Sequence, residues 1–123
     1  KRLQKLEKLM ERLDQWLDPH PKPSPLHGDL WGGNWIPGPN GNPYLIDPAS
    51  YYGDHELDLA FTECFGGFSP TFYHAYQEVF PLSSTYPERK HIYMLVFLLI
   101  HLNLFGELYG PRVDKILNYY IGS

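Results

Sequence analysis

The sequence predicts a mainly α-helical domain carrying one small β-hairpin. Apolar residues recur at helical spacing over 2–17, 55–65 and 70–80, and they crowd nearly all sides of a longer segment over 87–109. The strand-like runs are short, and the turn sequence Gly38-Pro39-Asn40-Gly41-Asn42 joins two of them. At 123 residues the chain is one domain at most, and 43% apolar with 20% charged residues supports a packed core.

In chain order, Leu3, Leu6, Leu9, Leu13 and Trp16 form the apolar stripe of an amphipathic helix over 1–18 that Pro19 ends. Its two heptads are too few for a coiled coil, so the helix is expected to pack on its own domain. Pro21, Pro23 and Pro25 hold the next stretch extended and deliver the chain to Leu26 and a loop at Asp29. Trp35-Ile36-Pro37 and Pro43-Tyr44-Leu45-Ile46 pair as the hairpin, whose far end returns Asp47 to the neighbourhood of Asn34. Residues 48–53 read as a loop. A helix begins at Asp54 or His55 and stops at Gly66-Gly67, and Ser69-Pro70 opens the next as N-cap and first helical residue. The helix from Pro87 to Tyr109 is expected to be central and buried. Gly110-Pro111 breaks it, and a last helix covers Arg112 to Ile121. Organisation follows as an N-terminal helix (1–18), a loop, hairpin and second-aspartate segment (26–60) and a helical remainder (61–123).

Composition excludes several function classes. Net charge −4 and a pI near 5.8 oppose nucleic-acid binding, which needs a basic footprint. The run Ile92–Phe105 contains His101 and Asn103 and is shorter than the ~20 residues of a membrane span. Ten Tyr and seven Phe point to a core rich in aromatic packing. Cys64, the single cysteine, cannot form an internal disulfide; it reads as a core residue, and a reducing, cytoplasmic setting fits. The chain starts at Lys1 rather than Met and shows no leader pattern, so it reads as a fragment or a processed product.

The chemistry-bearing residues lie between 26 and 58. Asp29 is followed five residues later by Asn34, and Asp47 closes the second strand-like run. A loop aspartate, an asparagine and a later aspartate in that order are the layout of a phosphoryl-transfer site. The first carboxylate takes the acceptor hydroxyl's proton, while an amide oxygen and a second carboxylate offer the hard oxygen ligands that Mg2+ prefers. Each of the three alone is an ordinary turn residue; the register of all three, with His27 ahead of Asp29 and a strand ahead of Asp47, favours the site. His27 is expected to pack beneath the loop rather than act as a base. Asp58, at the start of an apolar helix, either braces the loop by accepting backbone N–H bonds or sits there for the helix dipole. The remaining histidines lack zinc-ligand spacing, and no G-x-S-x-G elbow exists.

His27-Gly28-Asp29-Leu30-Trp31-Gly32-Gly33-Asn34 and Asp47-Pro48-Ala49-Ser50-Tyr51-Tyr52-Gly53 resemble segments of the fructosamine (ketosamine) kinases, a branch of the aminoglycoside phosphotransferase and choline kinase superfamily. Phe65-Gly66-Gly67-Phe68, the aromatic helix Phe72–Tyr76 and Asn103-Leu104-Phe105-Gly106 are similar to the same family, so the resemblance spans roughly 26–120. It implies the C-terminal, helical lobe of a protein-kinase-like fold and ATP-dependent phosphorylation of the sugar 3-hydroxyl of fructosamines, a protein-deglycation reaction. By the same resemblance Asp29 is the base, Asn34 and Asp47 hold Mg2+, and Trp31 stands beside the sugar, with an aromatic wedge in the core as its alternative role.

The departure is large: no Gly-rich loop over the nucleotide and no strand lysine for its phosphates are present, so the N-terminal lobe is absent. ATP and a ketosamine or glycated protein are the implied partners. Positioning supplies most of the catalysis in phosphoryl transfer, so negligible activity is expected of the chain alone. Its uncovered lobe face is expected to be apolar and to invite self-association. The competing readings are a non-catalytic half-kinase used for binding, and a sibling kinase acting on an aminoglycoside, choline or a sugar.

Overall fold

The computed structural model describes residues 1–122. The described residues hold five α-helices and two pairs of short antiparallel strands, so the mainly helical class with a small hairpin is the observed one. The residues cluster into two compact units, one formed by Pro21–Tyr86 and the other by Lys1–His20 together with the chain from Pro87 onward.

In the Pro21–Tyr86 unit, β1 (Ser24–Leu26) pairs with β4 (Tyr51–Gly53), Leu26 facing Tyr51. Residues 51–53 were expected in a loop, and their pairing is a correction. Such three-residue strands carry too little alternation to be read as strands, and Pro25 is tolerated because β1 is an edge strand. Between them, β2 (Trp35–Pro37) and β3 (Pro43–Leu45) form the expected hairpin, with Trp35 opposite Leu45. Its tip turns through Asn40 at φ 61, a left-handed position that asparagine tolerates. Helix α2 (Glu56–Phe65) buries Leu59, Ala60, Phe61 and Cys64, and ends at Gly66 with φ 81. Thr62, also fully buried, donates its hydroxyl to the Leu59 carbonyl at 2.7 Å and lies 2.9 Å from the Tyr73 hydroxyl. Helix α3 (Pro70–Val79) starts with proline in its first turn, where a missing N–H costs nothing.

In the other unit, α1 (Arg2–Glu11) packs on α5 (Gly110–Ile121), with Leu9, Val113 and Leu117 fully buried. Arg2 ties the pair by reaching Asp114 at 2.8 Å and Glu107 at 2.7 Å. The first helix is shorter than its stripe predicts: after Glu11 the hydrogen bonds tighten to a one-turn 3₁₀ helix, Leu13–Gln15. That tightening brings Trp16 edge-on to Tyr120, ring centres 5.1 Å apart.

Helix α4 (Tyr86–Phe105) stops at Gly106 (φ 90) rather than at Tyr109, and a separate 3₁₀ turn, Glu107–Tyr109, follows. It is also less buried than expected. Ile92, Leu95 and Leu98 are inside, whereas Val96, Ile100 and Leu104, spaced four apart along one face, stand exposed. An apolar residue on every side says nothing of how many sides find a partner. Among the described residues no helix is long and apolar enough to cross a membrane.

Candidate phosphoryl-transfer site

The site is built by two loops held together by main chain. The first leaves β1 at Leu26 and carries His27, Asp29, Trp31 and Asn34; the second leaves β3 and carries Asp47. Antiparallel pairing continues one step past the hairpin, because the Ile46 N–H donates to the Asn34 carbonyl at 2.9 Å. The Ala49 N–H donates to the His27 carbonyl at 2.8 Å on the far side. Asp47 is thereby bracketed by two residues tied to the first loop. It is exposed, and at φ 50 it occupies the left-handed region that only a few residue types enter readily.

Asn34 is buried at 6% exposure, and its side-chain Nδ2 donates twice to Asp29, to the main-chain carbonyl at 2.7 Å and to Oδ2 at 3.0 Å. Both bonds use the amide nitrogen. The orientation is thus fixed by chemistry, and the amide Oδ1 is the atom left for a ligand.

His27 has partners of opposite kind on its two ring nitrogens. Nδ1 accepts from the Asp29 N–H at 3.2 Å, so the ring proton sits on Nε2, which donates to the Ile46 carbonyl at 2.7 Å. The imidazole therefore links the two loops beneath the site. Asp58 accepts from the backbone N–H groups of His27, at 2.8 Å, and Gly28, at 3.0 Å. Gly28 itself is at φ 87, and a Cβ there would lie 2.2 Å from the Ala49 carbonyl oxygen, so no larger residue fits. Trp31 is 43% exposed, with its ring laid against Gly33.

Three participants escape a reading of the sequence alone. The Gly66-Gly67 pair does more than stop α2: the Gly32 N–H donates to the Gly66 carbonyl at 2.9 Å, and a Cβ on Gly67 would lie 2.1 Å from the Gly32 Cα. Two Gly-Gly pairs in one chain are a usable sign of such close backbone approach. Tyr51 flanks the loop, its ring 3.1 Å from where a Gly28 Cβ would stand. Burial, then the Asp58 charge, raises the Tyr51 phenol. Tyr76 is pushed up to about 12 by burial and then by Asp58, Asp54 and Glu56. At neutral pH Tyr76 is therefore a neutral hydroxyl, 2.7 Å from the His55 Nδ1.

Asp54, His55 and Glu56 also gather their ligand-type atoms within 4.8 Å. Asp54 Oδ1 accepts the Glu56 N–H at 3.0 Å and the His55 ring stacks on Phe80 at 3.7 Å, so this cluster is engaged in starting and seating α2. Asn34 and Asp47 offer a neutral amide oxygen and an exposed carboxylate, hard donors of the kind that could hold a magnesium ion.

A profile of the family described as fructosamine kinase matches residues 1–122. A "Probable ketoamine kinase" of Lactiplantibacillus plantarum is 56% identical over 99 residues, covering 80% of this chain and 35% of that protein. A second, of Enterococcus faecium, is 44% identical over 120 residues, covering 97% of this chain and 43% of its own length. Among solved structures, one described as a "putative fructosamine-3-kinase" of Thermobifida fusca has a TM-score of 0.82 at 34% identity, over 99% of this chain and 42% of that one. Its counterpart from Haemophilus somnus gives 0.80 at 33% identity, over 98% and 45%. The chain thus spans less than half the length of these relatives.

Proposed function

Since the chain belongs to the fructosamine kinase family, we propose that it supplies the base and magnesium-binding part of an ATP-dependent kinase for the sugar 3-hydroxyl of ketosamines. In this reading it is the C-terminal lobe, the nucleotide-covering lobe lies outside residues 1–123, and the chain alone has negligible turnover. The reaction repairs glycated amines or proteins in the cytoplasm. The observation that carries the reading is the pairing of Asn34 with Asp29 while Ile46, the residue before Asp47, is bonded to the Asn34 carbonyl.

Asp29 accepts the proton of the acceptor hydroxyl as that oxygen attacks the γ-phosphorus of ATP and the bond to the ADP oxygen breaks. Asn34 Nδ2 holds the Asp29 carboxylate in place, and its Oδ1 with the Asp47 carboxylate would hold the metal. Mg2+, when bound, neutralises charge on the phosphates. Asp58 and His27 keep the loop in position, because catalysis of this kind rests on placement more than on covalent chemistry. Trp31 offers an exposed ring on which the sugar can pack. The apolar stripe Val96, Ile100 and Leu104 is then a surface for self-association of the isolated chain.

The test is an ATP-coupled assay on a ketosamine with two proteins: the chain itself, and a fusion that restores to it the part of the Lactiplantibacillus plantarum relative that the chain does not match. Turnover by the fusion, abolished by Asp29→Asn, is expected. A fusion equally active with Asp29→Asn overturns the assignment. Turnover by the chain alone overturns the half-site reading.

A further inference from the structure

We infer that the apolar groove beside the Asp29 loop seats an apolar substituent carried on the amine of the ketosamine, an inference that rests on the kinase reading above. The groove encloses about 840 Å3, within the range of roughly 300–1,000 Å3 common for small-molecule sites. One wall is the hairpin: Trp35 and Leu45 are directly paired across β2 and β3, so their side chains share a face. The other wall is Phe68 with Phe72 and Ala75 of α3, three residues apart on one side of the helix.

Three features define the occupant. Among the described residues no charged side chain lines the groove, whose polar lining is Ser69 and Thr71, and Trp35 and Leu45 keep 37% and 57% exposure, so apolar surface stands open. The Trp35 indole N–H is already donated to the Gly67 carbonyl at 3.1 Å, which leaves the ring face rather than a hydrogen-bond donor for an occupant. Finally, Gly67 belongs both to the groove and to the seam with Gly32 of the Asp29 loop. The surface therefore runs in the order acidic loop, glycine seam, apolar groove. A ketosamine with an apolar amine has the matching order of sugar hydroxyls, ammonium and apolar group. The apolar surface continues along α3 to Val79, which is 89% exposed, and Phe80, so groups longer than a phenyl ring also have room.

The test compares the fructose ketosamines of phenethylamine and methylamine. The indole N–H resonance of Trp35 in the 15N-labelled chain reports occupancy, and kcat/KM in the fusion reports use. The phenethyl compound is expected to shift that resonance, the methyl compound to leave it in place, and kcat/KM to favour the phenethyl compound roughly tenfold, the scale of one buried apolar group. Ala75→Trp, on an exposed helix position, fills the groove. It is expected to remove the shift and the preference together. Turnover of both compounds with equal kcat/KM and no Trp35 shift overturns the groove assignment and leaves the kinase reading standing. Turnover of neither compound overturns both.

Discussion

Asn34 holds Asp29 at two points, donating from one amide nitrogen to the main-chain carbonyl at 2.7 Å and to the side-chain Oδ2 at 3.0 Å. The two residues are therefore one device: the carboxylate that would take a proton is aimed by the same side chain whose oxygen would face a metal. Asn34→Ala removes both bonds and is expected to lower kcat of the fusion at least a hundredfold. Stability of the chain should fall by about 1–3 kcal/mol, the usual range for two lost hydrogen bonds. Steady-state kinetics and urea unfolding check the two effects separately.

Asp58 should matter to folding as well as to the site. Asp58→Ala leaves two loop N–H groups without their carboxylate, and bonds to charged groups contribute about 1.5–3 kcal/mol each. A loss of roughly 2–4 kcal/mol is expected after solvent compensates part of it, with Asp58→Asn intermediate because one acceptor oxygen remains. Equal unfolding midpoints for Asp58→Ala and the unaltered chain would count against the bracing role.

Gly28→Ala meets both a left-handed backbone and the Ala49 carbonyl. The conformational part alone costs about 1–2 kcal/mol, and the clash adds to it by pushing the two loops apart. Faster exchange of the Ala49 amide, which donates to the His27 carbonyl in the unaltered chain, is the expected hydrogen-exchange signature.

Acid should weaken the α1–α5 pair through Arg2. Hydrogen bonds from its guanidinium hold the Glu107 and Asp114 carboxyls below their ordinary values of 4.5 and 3.8. Carboxyls with lowered folded-state pKa values stabilise the protein above their unfolded values, and that contribution disappears as pH falls through the folded ones. Stability should therefore drop below about pH 4.5 and continue dropping below 3.8. Arg2→Met should flatten that part of the profile, measured by urea unfolding across the acid range. Both carboxylates are solvent-accessible, so added salt should flatten it too.

Much of this arrangement is legible in the sequence because it is local. Asp29 and Asn34 share one loop, and the Pro-Asn-Gly turn sets the register that brings Asp47 back beside them. The β1–β4 pairing is not local. Leu26 meets Tyr51 across the whole hairpin, in strands of three residues that have no room to display a period. The exposed face of α4 is hidden for another reason. Val96, Ile100 and Leu104 are as apolar as their buried neighbours, and burial depends on what packs there rather than on the residue itself. The Gly32–Gly67 seam belongs to the same class, since a backbone contact leaves no side-chain pattern to read.

Asp47 carries a consequence for any attempt to vary the site. At φ 50 the backbone there favours glycine, asparagine, aspartate and histidine, and costs other side chains, glutamate among them, about 1–2 kcal/mol. Of the favoured residues only aspartate brings a negative oxygen. A library randomised at this codon should therefore be enriched in these four among its most stable members, one of them a carboxylate. The conformation admits the residue before its chemistry is tested, so a longer carboxylate cannot substitute for the shorter one merely by reaching the same point in space.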